Sequence, residues 1–256
     1  MSKSLARVLH LLMLLVAFGA LSSCSKNEPE RVLLLLKTLD NPFFQDIDSG
    51  FRSKWLSTSI KVDVLAGKNE ADAPGQREIL ETYLRNFVRG RDKPLLKGVV
   101  LTPSDSGDGL VPSIAELRRN GIPVLLVDTA ISPKSLREAK TDFNILFSSD
   151  NFSGGESAGK LIVSALANKG GSSVLVLNGV PEHDTAKLRR EGFLQATRSF
   201  GLVITERTAN WRRSEARTIV EAFRNLGKLP DAIFAANDEM AIGAIEALKR
   251  SQSGVP

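Results

Sequence analysis

An α/β fold with mostly parallel sheets, divided into two lobes, is predicted from three observations in this 256-residue chain. Apolar runs of strand length recur along it, amphipathic segments of helix length separate them, and the first run, Val32-Leu33-Leu34-Leu35-Leu36, shows no alternation. A strand without alternation is buried on both faces, which is the condition of a parallel sheet covered by helices. Strands alternating with helices of this length imply right-handed βαβ units.

The strand candidates, in order, are Val32–Lys37, Lys61–Leu65, Gly98–Leu101, Pro123–Val127, Asn144–Phe147, Ser173–Leu177, Leu202–Glu206 and Ala232–Ala235. Helical patterns fall at Gln76–Val88, Val111–Arg119, Glu156–Ala167, Ala216–Leu226 and Glu239–Arg250. A break near Phe147–Asn151, where a strand runs into Ser153-Gly154-Gly155, favours two lobes, residues 31–149 and 150–256, over one continuous sheet. After the last helix, Ser251-Gln252-Ser253-Gly254-Val255-Pro256 reads as a helix stop leading into another strand. A βαβ unit needs that strand, so the second lobe is expected to be incomplete.

Residues 1–24 read as an export signal: Lys3 and Arg7 form a positive n-region, and Val8 to Leu21 is too short for a comfortable membrane span. The signal ends in Leu21-Ser22-Ser23-Cys24, which resembles a bacterial lipobox, so Cys24 is the expected lipidation site and residues 25–30 a tether. Cys24 is the sole cysteine, so the exported part has no internal disulfide and depends on its core. The 34 basic residues slightly outnumber the 29 acidic ones, and without Lys3 and Arg7 the surplus is about three. No dense basic run accompanies it, which argues against a nucleic-acid partner.

Polar and aromatic residues collect just past the strands, where open α/β sheets bind ligands. Asn41-Pro42-Phe43-Phe44 follows the first strand, Asp128 and Thr129 follow Pro123–Val127, and Asn237-Asp238-Glu239 follows Ala232–Ala235. Trp211 follows Ala209-Asn210 ahead of another helix. Amides and a carboxylate beside aromatic rings suit a ligand with hydroxyls and an apolar C–H face, as a sugar has.

These motifs, together with Gly50, Ser149-Asp150-Asn151, Gly154-Gly155, Glu191-Gly192-Phe193 and Met240-Ala241-Ile242-Gly243-Ala244, resemble the periplasmic sugar-binding proteins of the ribose and galactose type. The ordered match runs over residues 31–256. The resemblance implies two Rossmann-like lobes joined by three crossovers, with sugar held in the cleft between them. It places Asn41, Phe43, Phe44, Asp128, Trp211 and Asn237 at ligand-contact positions, Phe44 and Trp211 being candidates to sandwich the ring. Lys187 stands for the arginine that the family carries ahead of Glu191-Gly192-Phe193, with Arg189 and Arg190 nearby. Ribose binders also carry arginine where this chain has Thr129. Lysine cannot make arginine's planar fork, so these departures weaken the case for ribose itself and leave a sugar or sugar-like polyol.

The resemblance further implies a monomeric protein of the cell envelope that delivers its ligand to an ATP-binding-cassette permease, and in some cases to a chemoreceptor. A ligand-sensing domain of a receptor or kinase system is the alternative. Plainer roles compete at several positions. Phe43 could anchor its helix in the core, and Trp211 could cover an apolar edge of its own lobe. Asp238 and Glu239 fit a helix N-terminus, and Asp150 and Asn151 fit a helix cap. The spacing of Gly154, Gly155 and Gly159 does not fit a dinucleotide fingerprint, so no cofactor is expected. His183, between Glu182 and Asp184, forms no triad or metal pattern and is expected in an exposed loop, so an enzyme is not expected either. A lactose-repressor-type transcription factor would need a helix-turn-helix where the export signal stands.

Overall fold

The computed structural model describes residues 28–104, 109–166 and 171–249. Cys24 with its signal segment and residues 251–256 lie outside the described residues. Two wholly parallel sheets form. The first has five strands in the order β2-β1-β3-β4-β5 and the second three in the order β7-β6-β8.

The first sheet comprises β1 (Arg31–Leu36), β2 (Lys61–Ala66), β3 (Leu96–Leu101), β4 (Val124–Val127) and β5 (Ile145–Phe147). Its helices are α1 (Pro42–Ser53), α2 (Ala73–Phe87), α3 (Val111–Arg119) and α4 (Pro133–Glu138). The missing alternation in β1 has a direct cause. Leu33 and Leu35 pack into a core with Leu80 and Leu84 of α2 and Ile114 and Leu117 of α3. Leu34 and Leu36 point the other way, against Phe44 of α1. Each of these leucines is fully buried, a burial worth about 1.5–3 kcal/mol per side chain.

The second sheet comprises β6 (Ser173–Asn178), β7 (Val203–Thr208) and β8 (Ala232–Ala235), with helices α5 (Asn151–Ala165), α6 (Asp184–Thr197), α7 (Arg213–Asn225) and α8 (Asp238–Lys249). Phe193 of α6 stacks on Phe234 of β8 with ring centroids 4.4 Å apart. Gly155 and Gly192 let α5 and α6 approach closely: a Cβ at Gly155 would lie 2.0 Å from the Arg189 carbonyl oxygen, and one at Gly192 2.1 Å from that of Phe152. Of the glycines that superficially suggest a nucleotide loop, Gly155 and Gly159 therefore serve helix packing, whereas a Cβ at Gly154 would meet nothing within 4 Å.

Differences from the sequence reading are local. The α5 helix begins at Asn151, five residues before the expected Glu156, because the Asp150 carboxylate accepts from the Ser153 amide and caps it. Glycines and serines in that first turn hide the helical period. The six residues of α4 are too few to show one. Among the described residues no helix is long and apolar enough to cross a membrane, and no cluster of His, Cys, Asp and Glu is placed to hold a metal ion.

Candidate ligand-binding site

Strand order reverses between β1 and β3 in the first sheet and between β6 and β8 in the second. Such switch points open crevices at the carboxyl ends of strands. The segments that follow β1, β2, β4, β7 and β8, with the start of α6, surround a cavity of about 150 Å³. Lys37, Asn41, Phe43, Phe44, Glu70 and Asp128 line it from the first lobe, and Thr185, Arg189, Trp211, Asn237 and Asp238 from the second. A wider cleft of about 820 Å³ adjoins it and shares Asn41, Glu70 and Trp211.

On the first-lobe side, the ammonium of Lys37 donates to the Oδ2 of Asp128 at 2.8 Å, and the lysine side chain is only 2 % exposed. A buried charge is tolerated when paired and hydrogen-bonded. The hydroxyl of Thr129 donates to the same Oδ2 at 2.9 Å. Oδ1 of Asp128 has no protein partner among the described residues, and Asp128 lines the cavity. Asp128 holds φ at 69°, an uncommon backbone for a non-glycine residue.

The Asn41 Oδ1 accepts from the Phe43 amide and caps α1, while its Nδ2 donates to Glu70 at 2.9 Å. On the other lobe, the Asn237 Oδ1 accepts from the Met240 amide at the start of α8, and its Nδ2 donates to the Trp211 carbonyl at 3.3 Å. Each side-chain amide thus holds one helix-capping bond at its oxygen and one bond at its nitrogen, and keeps one further N–H beyond them. Burial pushes the Glu70 carboxyl above its ordinary pKa, with the Asn41 bond and the Lys37 charge opposing.

The aromatic residues divide differently from the sequence reading. Phe44 is the core anchor, 2 % exposed, and reaches the cavity beside Lys37, whose Nζ lies 5.8 Å from its ring centroid. Phe43, the residue considered for the anchoring role, is 47 % exposed and meets Phe44 edge-on. Trp211 both fills its own lobe's core and lines the cavity. Its indole rests on Gly179, where a Cβ would lie 2.2 Å from the ring, and its backbone sits at φ 66° after Asn210 at φ 49°.

Lys187 is not among the cavity-lining residues. Its ammonium donates to the Glu182 carbonyl and the Asp184 carboxylate, both at 3.3 Å, on the exposed face of α6. Thr185 and Arg189, four residues apart and so on one helix face, are the residues that reach the cavity; Lys187 lies half a turn away. The Arg189 guanidinium donates to Asn151 at 2.8 Å and to the Ala236 carbonyl at 2.6 Å, 5.7 Å from the Trp211 ring centroid. Sequence reasoning missed Lys37 and Glu70 as well. A lysine closing an all-apolar strand was the available signal for Lys37; nothing local marked Glu70.

The expected exposed-loop setting of His183 is incorrect: the ring is 1 % exposed. Its Nδ1 accepts from the indole N–H of Trp211 at 3.0 Å. Desolvation first, and the Lys37 charge second, lower its pKa to about 4, so the ring is neutral at physiological pH. Asp150, Asp238 and Glu239 do occupy helix starts as expected.

Residues 32–255 match the periplasmic binding protein domain family. The chain belongs to that family. The ribose import binding protein RbsB of Bacillus subtilis is 30 % identical over 90 % of this chain and 69 % of its own length. The D-allose-binding periplasmic protein of Escherichia coli is 25 % identical over 90 % of this chain and 71 % of its own. Among solved structures, an ABC transporter periplasmic solute binding protein from Actinobacillus succinogenes with bound D-allose superposes with a TM-score of 0.73. It is 26 % identical, covering 88 % of this chain and 74 % of that one. The two parallel α/β sheets are those of the type I periplasmic binding protein fold, as the sequence resemblance implies.

Proposed function

We propose that this chain is a solute-binding lipoprotein of the cell envelope. It captures a monosaccharide or small sugar-like polyol between its lobes and delivers it to an ATP-binding-cassette importer. The observation that carries this reading is the cavity itself. Its volume of about 150 Å³ lies well below the ~300–1,000 Å³ of drug-sized pockets and suits one sugar ring. A charge-paired carboxylate, two donor amides and aromatic side chains from two lobes line it. Family relatives named for ribose and allose binding support the ligand class.

In this reading Asn41, Phe43, Phe44, Asp128, Trp211 and Asn237 contact the ligand, and Arg189 takes the part that the sequence assigned to Lys187. Lobes of residues 31–149 and 150–256 close about a hinge near Phe147–Asn151, and the closed form is what the permease recognises. Cys24 carries the lipid, so Cys24→Ala releases the protein from the membrane fraction.

Calorimetry against D-ribose, D-allose, L-arabinose, D-fructose and myo-inositol tests the ligand class; no binding heat with any of them removes the sugar reading. Trp211→Ala and Asn237→Ala should each weaken binding by at least ~1 kcal/mol. Unchanged affinity in both would move the site elsewhere.

A further inference from the structure

His183 has a buried ring with one nitrogen engaged and one idle. Because Nδ1 accepts from the Trp211 indole, the proton of the neutral ring is on Nε2. Nε2 is buried without a hydrogen-bond partner among the described residues. The main chain of Ser104, in the other lobe, lies against the ring and favours its protonated form, as a carbonyl acceptor does, while falling short of hydrogen-bond geometry. The Ser104 hydroxyl is buried and unpartnered too. Buried polar atoms are nearly always paired, directly or through water. An idle N–H on a ring whose neighbour is the main chain of the other lobe marks a place where a small relative movement makes or breaks a bond.

Both sides of this contact are firmly mounted. The buried Gln76 side chain donates to the carbonyls of Leu36 and Thr102 and accepts from the Ser104 amide, each at 2.9 Å. Ser104 is thereby tied to the carboxyl ends of β1 and β3. Beyond His183, the indole is confined by Gly179 on one side and stacks on the imidazole at 26°.

We propose that His183 is a positioning residue for Trp211, relaying the approach of Ser104 in the first lobe to the indole that walls the cavity in the second. As the lobes come together, Nε2–H finds its acceptor at Ser104, directly or across one water. That bond keeps the proton on Nε2 and leaves Nδ1 to accept from the indole. With the lobes apart, Nε2 meets bulk water and the imidazole loses its orientation. A ligand that draws the lobes together thus also locks its own aromatic wall. The inference rests on the reading of Trp211 as a ligand-contacting residue.

Trp55 and Trp211 are the two tryptophans of the chain, so Trp55→Phe makes Trp211 the sole fluorescent reporter. In that background His183→Ala should shift Trp211 emission before any sugar is added, and weaken binding of the sugars that the wild type takes by about tenfold. His183→Asn keeps an acceptor near the Nδ1 position but cannot reach Ser104. It should leave the emission near that of the parent and weaken binding by roughly threefold. Parental emission in a folded His183→Ala protein overturns the proposal, and so does parental affinity in His183→Asn, which also serves if the alanine variant fails to fold. The emission measurement needs no ligand. A shifted emission in a protein that binds none of the five sugars would therefore remove the sugar reading and leave the indole contact standing.

Discussion

Lys37 and Asp128 of the first lobe meet as a buried ion pair at 2.8 Å, whereas Trp211 of the second lobe is held without charge, by contact with Gly179, a left-handed backbone and the indole hydrogen bond to His183. The sheets differ in parallel. In the first, β1 has a neighbour on each edge and a core on each face. In the second, β8 pairs only with β6 among the described residues, and beside it Ile245 and Leu248 remain 49 % and 38 % exposed. One wall of the cavity is therefore set by charge within a fully covered sheet. The other is set by shape and one neutral hydrogen bond, on a sheet whose β8 flank is apolar and partly exposed among the described residues. Charge tolerates small displacements but not the loss of a partner; contact tolerates neither added volume nor a change of backbone.

The sharpest way to break this contrast is Asp128→Ala, which strands the Lys37 ammonium in the interior. It should cost ~3–5 kcal/mol of stability in urea unfolding. A cost below ~1 kcal/mol would show that the ammonium reaches water and that charge does not set the first wall.

Acidification probes the interface through His183. Its pKa of about 4 lies below the ordinary ~6.5, so between those values the unfolded chain binds a proton that the folded chain refuses. Its contribution is complete above the unfolded value and is lost as pH falls from ~6.5 toward ~4, up to ~3 kcal/mol. The raised pKa of Glu70 acts with the opposite sign, its contribution being present below the ordinary carboxylate value and lost as pH rises. Comparing the pH dependence of wild type and His183→Asn isolates the histidine. Parallel curves between pH ~4.5 and ~6.5 would refute its buried neutral state.

Gly179→Ala tests the second wall. The added methyl overlaps the indole, so a loss of ~1–3 kcal/mol in stability is expected together with a loss of ligand affinity. Full retention of affinity would mean that the indole can move aside without consequence. The smallest effect belongs to Lys187→Ala. Its ion pair with Asp184 is half exposed on both sides, so both stability and affinity should change by less than ~0.5 kcal/mol. A large loss of affinity would return Lys187 to the binding site at the expense of Arg189.

Much of the fold is local and could be read without a structure. The unalternating leucines of β1, the strand-ending Asp128 and the cap at Asp150 depend on neighbours within a few residues. The short α4 and the glycine-rich start of α5 were hidden because neither offers enough turns for a helical period to appear. The positions of the cavity residues after successive strands were legible too, because a parallel sheet brings all its carboxyl ends to one side.

What the chain alone determined, then, was which segments turn toward the cleft and what class of chemistry they bring. What the tertiary structure alone decided was how those side chains are shared out. Phe44 went to the core and Phe43 to the surface because β1 is covered on that face by α1. Arg189 and not Lys187 faces the cavity because α6 is rotated by the packing of Gly192 against α5. Lys37 found Asp128 across 91 residues, and His183 found Trp211 across 28. Such pairings depend on how strands are ordered and lobes apposed, and no local pattern encodes that order.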